Sequence, residues 1–437
     1  MSRRATALGV GFVATLIACC SPRDHTVSSD NGGNPDIDTD TDVDADNDSD
    51  TDADADSDTD TLPQGFTDLH GTVLAPSSSF PIPGALVYVT SGDGSEIPDH
   101  AFCYDCEDMT GKNWCLSQAD GSWTLQDVPY GPINIITRKG FFQRQREIVV
   151  TGEADQDVPP EITTLPGESS ADGLDQIPNY AVLLNWYDRS EDLLAKLGLA
   201  EIGGAGHFVP GTENFDVYND SETSPSALGS STLIFENQET INHYHMVFFP
   251  CICDALGTSF VQSHVEMLRQ YVADGGKLYG SCWASQWAEF PFPEYIEFAG
   301  DDSQHVVGTV ANYDTQGSLS DEQMRLWAEV VTPFEDPDHY PFTGAWIKID
   351  DTFDVDDGMG LDDDDGVVKP LTWVVDDSVY AGSPMTVTYN FGCGKVFYSV
   401  YQVVESSSSL EIRPQEYVLL YVILEVGVCE GEYIPPE

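Results

Sequence analysis

Residues 244–287, YHMVFFPCICDALGTSFVQSHVEMLRQYVADGGKLYGSCWASQW, decide the fold of the larger part of this chain. The apolar run 246–249 has the length and composition of a buried strand and ends at a cysteine-rich turn. Residues 259–273 predict a helix, Gly275-Gly276 stops it, and 277–281 predict a second strand that ends at Cys282. Strand, crossover helix and strand make a βαβ unit, whose two strands run parallel. In open α/β sheets, ligand-binding and reactive groups stand at the carboxyl ends of strands. Cys251, Cys253 and Cys282 all fall at such ends. They are either a reactive thiol site or a staple, because neighbouring strand ends at about 5–6 Å permit a disulfide.

Outward from this unit, residues 178–430 alternate strand and helix patterns. Residues 180–186 read as a strand, Ser190 as the cap of a helix over 191–197, and 215–218 and 232–235 as further strands. Residues 322–331 predict a helix. Residues 385–391 and 394–400 predict a hairpin about Gly392-Cys393-Gly394, and 414–427 a last helix with Val418, Leu419, Val422, Ile423 and Val426 at helical spacing. The expectation is a multidomain chain whose second domain is α/β, flavodoxin-like, with a mostly parallel sheet. Chain direction puts Cys393 and Cys429 at one end of that sheet, which predicts a Cys393–Cys429 bridge anchoring the last helix.

Residues 65–167 read differently. Short alternating runs at 68–74, 86–90, 121–125, 133–138 and 145–150, separated by Gly/Pro turns, predict a small β-sandwich. Cys103, Cys106 and Cys115 lie in an insertion between its strands. The spacing Cys103-x-x-Cys106 suits redox chemistry or zinc in a reducing compartment, and a loop-stapling disulfide in an oxidising one. Three cysteines in this part and five in the next are both odd numbers, so one bridge between domains or one cysteine left over is expected.

The amino terminus supplies the address. Arg3-Arg4 is followed by a short apolar run to Ala18, then Leu16-Ile17-Ala18-Cys19, which resembles the lipobox of bacterial, myxobacterial-type lipoproteins. That resemblance implies a signal peptide over 1–18, lipidation of Cys19, and export. Cys20 in place of Asp after the lipidated residue implies the outer membrane or cell surface. The apolar run is too short to span a bilayer as a helix. Residues 19–64 carry a D-x repeat to Asp60 and read as a disordered acidic tether. Asp30 and the Asp36 to Asp60 series supply fourteen negative charges of a net −58, so the remainder is itself strongly acidic at −44. A nucleic-acid partner is excluded on this balance, since phosphate binding needs a basic surface. The membrane through the lipid anchor, and an envelope protein or glycan of unknown identity, are the partners the address implies.

Two further resemblances follow from motifs. The run from Gly71-Thr72-Val73 through Pro81-Ile82-Pro83-Gly84-Ala85 to Asp120-Gly121-Ser122-Trp123 and Asp127-Val128-Pro129-Tyr130-Gly131 resembles the carboxypeptidase regulatory-like domain. It implies a prealbumin-like spacer or binding module without catalysis. Asp274-Gly275-Gly276-Lys277, Gly280-Ser281-Cys282-Trp283-Ala284 and Gly394-Lys395-Val396-Phe397-Tyr398 resemble the class I glutamine amidotransferase-like superfamily and its ThuA-like branch. That resemblance puts Cys282 at the nucleophile elbow. The final Gly of the elbow is Ala284 here, and Tyr401-Gln402-Val403-Val404-Glu405 offers no histidine where the family has its base. A thiol without an orienting base is weakly activated.

No cofactor is implied, except Ca²⁺ at Asp354, Asp356, Asp357, Asp362 and Asp364, which crowd a Gly-bearing loop without EF-hand spacing. His243 and His245 share a strand face at i, i+2 and lack a third ligand in the sequence. The expected function is a non-catalytic binding or envelope role for a surface lipoprotein. The alternatives are a cell-surface thiol hydrolase or amidotransferase-like enzyme using Cys282, and a carbohydrate-binding protein using Trp283, Trp287 and Trp346.

Overall fold

A computed structural model describes residues 65–152, 155–251, 256–300, 306–356, 367–403 and 410–429. The predicted signal peptide, Cys19 and the tether to residue 64 lie outside them. No helix among the described residues is long and apolar enough to cross a membrane.

The first unit forms eight strands: β1 Phe66–Thr72, β2 Leu86–Thr90, β3 Asn113–Leu116, β4 Ser122–Pro129, β5 Gly131–Lys139, β6 Phe142–Val150, β7 Gln156–Asp157 and β8 Asp175–Gln176. They make a three-stranded sheet, β4-β1-β7, and a five-stranded sheet, β3-β2-β5-β6-β8. Leu69, Val87, Trp123, Leu125 and Ile135 alternate inward and are buried. Asp127 takes a left-handed φ of 53°, and its N–H donates to Asp68 Oδ1 at 3.0 Å where the β1–β4 register slips. The run expected over 121–125 therefore continues through the bulge to Pro129 as one strand.

In the second unit, β9 Tyr180–Leu184, β10 Asp216–Asn219, β11 Met246–Phe249 and β12 Lys277–Ser281 precede a small strand, β13 Ile296–Phe298. Then come β14 Thr309–Leu319, β15 Tyr340–Ile347, β16 Ile349–Thr352, β17 Val355–Asp356, β18 Val367–Val368, β19 Leu371–Asp376, β20 Pro384–Phe391 and β21 Gly394–Ser399. Nine of these form one sheet, in the order β10-β9-β11-β12-β21-β20-β19-β14-β15.

This sheet corrects the expected fold class. From β10 to β21 every pairing is parallel. From β21 to β15 every pairing is antiparallel. Among the described residues 21% are helical, the sheets are antiparallel or mixed, and no mostly parallel flavodoxin-like domain forms. The cause is local. The Gly392-Cys393 turn makes β20 and β21 a hairpin, which reverses strand polarity, and β19, β14 and β15 add on antiparallel, even though the helix Glu322–Val331 lies between β14 and β15.

Local corrections have similar causes. The predicted helix 259–273 is two, Thr258–Ser263 and Val265–Ala273, broken at His264 (φ −116°, ψ 11°). Residues 232–235 are not a strand but a 3₁₀ turn, Ser231–Phe235, capped by Ser230 Oγ accepting from Thr232 N. Ser190 opens the helix Ser190–Leu194 from inside, and Arg189 holds the cap position. The last helix, Pro414–Val426, is buried on nearly every side, and its Glu416 carboxylate takes both Lys196 Nζ (2.7 Å) and the N–H of Arg413 (2.9 Å).

The two units share one hydrophobic core and are covalently joined. Cys103 is bonded to Cys393 and Cys106 to Cys429. The expected local staple within 103–106 and the expected Cys393–Cys429 bridge are thus both replaced by two bridges between units. Cys393 and Cys429 do share one end of the sheet, but the first unit's insertion docks between them and takes both. Trp327 Nε1 donates to Pro81 O at 2.8 Å, Ala101 N to Asn242 O at 2.8 Å, and Lys139 pairs with Glu425 across the same junction.

Candidate functional site: the strand-end cysteine elbow

The carboxyl ends of β9, β11, β12 and β21 converge on Asp188. It lies in the turn between β9 and the helix Ser190–Leu194 and is fully buried. Its Oδ2 accepts from the backbone N–H of Cys251 at 3.2 Å and from the Ser281 hydroxyl. Its Oδ1 accepts from Val403 N at 2.9 Å. One carboxylate therefore ties together the ends of three further strands. Burial pushes its pKa up to about 6, and the three hydrogen bonds hold back a larger rise.

Cys282 follows β12 directly and opens the 3₁₀ turn Cys282–Ser285, which runs into the helix Gln286–Glu289. Its φ is +50°, in the left-handed region that side chains other than glycine rarely adopt. The sharp strand-to-helix elbow therefore forms despite Ala284. The Cys282 carbonyl accepts from Tyr398 Oη at 2.5 Å. Its sulfur lies 2.6 Å from Cys251 Sγ, and Cys251 Sγ also faces Trp283 N at 3.4 Å. Both cysteines are buried, Cys282 completely.

The acid and base groups nearby are committed elsewhere. Beside Asp188, Arg189 binds Glu191 (3.2 Å), Asp192 (2.6 Å) and Glu222 (2.8 Å), and His207 Nδ1 meets Asp192 Oδ2 at 2.7 Å. Glu191 is fully enclosed, so burial holds its carboxyl well above the usual range, against the pull of Arg189.

Of the residues singled out in the sequence, the structure brings Cys251 and Cys282 together. Cys253, Asp357, Asp362 and Asp364 lie outside the described residues. Asp354 and Asp356 are described, and Asp356 belongs to the small β17–β18 ladder. Among the described residues no group of three or more His, Cys, Asp or Glu side chains is arranged to hold a metal ion. Cys115 sits in β3, opposite Val87 of β2. His243 and His245 do not share a strand face: His243 caps the helix Gln238–Asn242 and is exposed, whereas His245 is buried. Trp287 stacks on Phe249 at 4.0 Å in the core, so it offers no ligand surface, while Trp283 and Trp346 meet edge-on at 5.7 Å and stay half-buried. Asp188, Ser281 and Tyr398 were not singled out in the sequence. The one available signal for Asp188 was a carboxylate a few residues past the end of a predicted strand.

No protein-family model and no curated protein matches the chain. Among solved structures it is similar to a cytoplasmic protein from Salmonella typhimurium LT2, at 13% identity and a TM-score of 0.33, over 57% of this chain and 98% of that one. A GH42 β-galactosidase from G. stearothermophilus gives 10% identity and a TM-score of 0.29, over 58% and 31%. The major pilin subunit of Bacillus cereus gives 9% and 0.17, over 23% and 30%. Likenesses this distant carry no argument about fold or function.

Proposed function

We propose that this chain is an exported lipoprotein, anchored through Cys19 at the outer membrane or cell surface, with a non-catalytic binding or envelope role. The observation that carries the reading is the pair of disulfides between the units. Such bridges persist in oxidising compartments and are rare where thiols are kept reduced. The acidic tether then holds a covalently hardened body away from the membrane, and the carboxypeptidase regulatory-like resemblance of the first unit fits a spacer role. The absence of catalysis is supported by the elbow itself, where Cys282 is completely buried against Cys251 and Asp188 is spent on backbone and Ser281.

The test is metabolic labelling of the full chain with an alkyne-bearing fatty acid, beside Cys19→Ser, followed by protease treatment of intact cells. Label lost in the variant and cleavage of the wild type from outside support the reading. Label retained in Cys19→Ser, or a protein found with soluble cytoplasmic contents, overturns it. A second reading, a thiol enzyme, is favoured by one observation, the left-handed φ of Cys282, since such strain collects at reactive sites.

A further inference from the structure

Phe249 of β11 stands opposite Gly280 of β12, and continuing that register by two residues sets Cys251 opposite Cys282. Neighbouring strands run about 4.8 Å apart, inside the Cα range that disulfides span. The two sulfurs lie 2.6 Å apart. Atoms that share no bond settle near about 3.5 Å or beyond, and bonded sulfurs near about 2.05 Å. We propose that Cys251 and Cys282 form a third disulfide, which seals the elbow and keeps Cys282 from acting as a nucleophile.

Two independent features support the pairing. Asp188 grips both strand ends beside the sulfurs, through Cys251 N on one side and the Ser281 hydroxyl on the other. The left-handed backbone at Cys282 turns its side chain off the line of β12, and Tyr398 Oη fixes that turn at the Cys282 carbonyl.

The chemistry is thiol–disulfide exchange with a disulfide-bearing oxidant of the exported compartment, protein or small molecule. The Cys282 thiolate attacks one sulfur of the oxidant, forming a mixed disulfide and releasing a thiolate. The Cys251 thiolate then attacks Cys282 Sγ and expels the second thiolate. Two protons pass from the cysteines to the two leaving sulfurs, and the oxidant is reduced by two electrons. With Cys282 completely enclosed, exchange belongs to the folding chain, before the elbow closes. In the native protein a reductant meets the exposed Cys103 long before it meets this pair.

The inference rests on the oxidising address proposed above, and the two bridges between units serve as its internal control. The full chain is purified without reductant, denatured in N-ethylmaleimide and mapped by non-reducing peptide mass spectrometry, with fragmentation separating Cys251 from Cys253. Cys251–Cys282 joined alongside Cys103–Cys393 and Cys106–Cys429 is the expected result. If all six carry label, the oxidising address fails. If the two inter-unit bridges are present while Cys251 and Cys282 carry label, or Cys282 is joined to Cys253, this inference alone is overturned. A graded series of phosphine reductant on the native protein gives the second readout. Cys103–Cys393 should open at least tenfold faster than Cys251–Cys282, and comparable rates overturn the seal.

Discussion

His245 donates from Nε2 to the carbonyl of Pro98 at 2.8 Å, while its Nδ1 accepts from the backbone N–H of Asn179 at 2.8 Å. These partners fix the neutral tautomer, because a proton on Nδ1 would face another N–H. The ring stacks on Phe141 at 4.4 Å, so one buried imidazole joins the first unit to the second.

Acid should therefore loosen this junction. Burial, aided by His100 and Lys277 against Asp99, lowers the His245 pKa to about 4 from an ordinary 6.5. A depressed histidine stabilises the fold fully above pH 6.5 and loses that contribution as pH falls towards 4. The contribution is about 3 kcal/mol at 1.36 kcal/mol per unit. Urea unfolding of His245→Gln against wild type between pH 7 and 4 should show a weaker fold at pH 7 and a flatter decline below 6.5. A parallel decline in both proteins would remove His245 from the account.

The bridges between units should act non-additively. Cys103–Cys393 and Cys106–Cys429 close loops separated by 290 and 323 residues. Once one is closed, the other constrains only a loop of roughly forty residues, so paired serine substitution of either bridge should cost about 4 kcal/mol. Removing the remaining bridge should cost about 6 kcal/mol more, because the whole long loop then opens. Guanidinium melts of the two paired variants and the fourfold variant measure this. Equal small losses throughout would mean that packing alone sets the junction.

Gly275→Ala should undock the insertion. Gly275 has φ +106°, and a β-carbon there would run into the backbone of Phe102 and Cys103. Neither backbone can yield, since Cys103 is bonded to Cys393. The expected loss is above about 3 kcal/mol, combining backbone strain with overpacking. It should come with mispaired Cys103 in non-reducing peptide maps. Native pairing with unchanged stability would show that the insertion is not seated as described.

The strands legible in the sequence are those with continuous apolar runs, such as 246–249, or with a hairpin turn between them, as at Gly392-Cys393-Gly394. Beyond that hairpin the antiparallel half was not legible. Its longest strand, β14, reads TVANYDTQGSL, and it buries only Thr315, Gly317 and Leu319, so no face repeats clearly enough to mark it. Missing β14, β15 and β19 left the parallel half looking like the whole sheet. Cysteine pairing failed for a different reason. Cys393 and Cys429 were placed at the correct sheet end, but their partners come from an insertion whose docking no local pattern encodes. At the elbow, Cys282 was legible from its place after a strand, whereas its φ and the Asp188 clasp depend on four strands meeting.

Asp188→Asn should stabilise the protein above pH 6. The raised pKa of about 6, against an ordinary 3.8, means that the folded state disfavours the charged form. Below about pH 4 the carboxyl is protonated in both states and contributes no difference. As pH rises through 6, the unfolded chain has already ionised freely while the folded one has paid desolvation. Stability from this group is thus lost between 4 and 6, by about 3 kcal/mol in all. Asparagine stands in for the protonated carboxyl at every pH, with the same shape and one acceptor oxygen. The variant should match wild type near pH 4 and exceed it by up to about 3 kcal/mol at pH 8, in denaturant melts at both pH values. Ser281→Ala, which removes a hydrogen bond favouring the anion, should carry the wild-type loss to higher pH. An Asp188→Asn protein less stable at pH 8 would mean that the three donors from Cys251, Ser281 and Val403 need the full negative charge. Asp188 would then be a charged clasp on the strand ends rather than a carboxyl strained by burial.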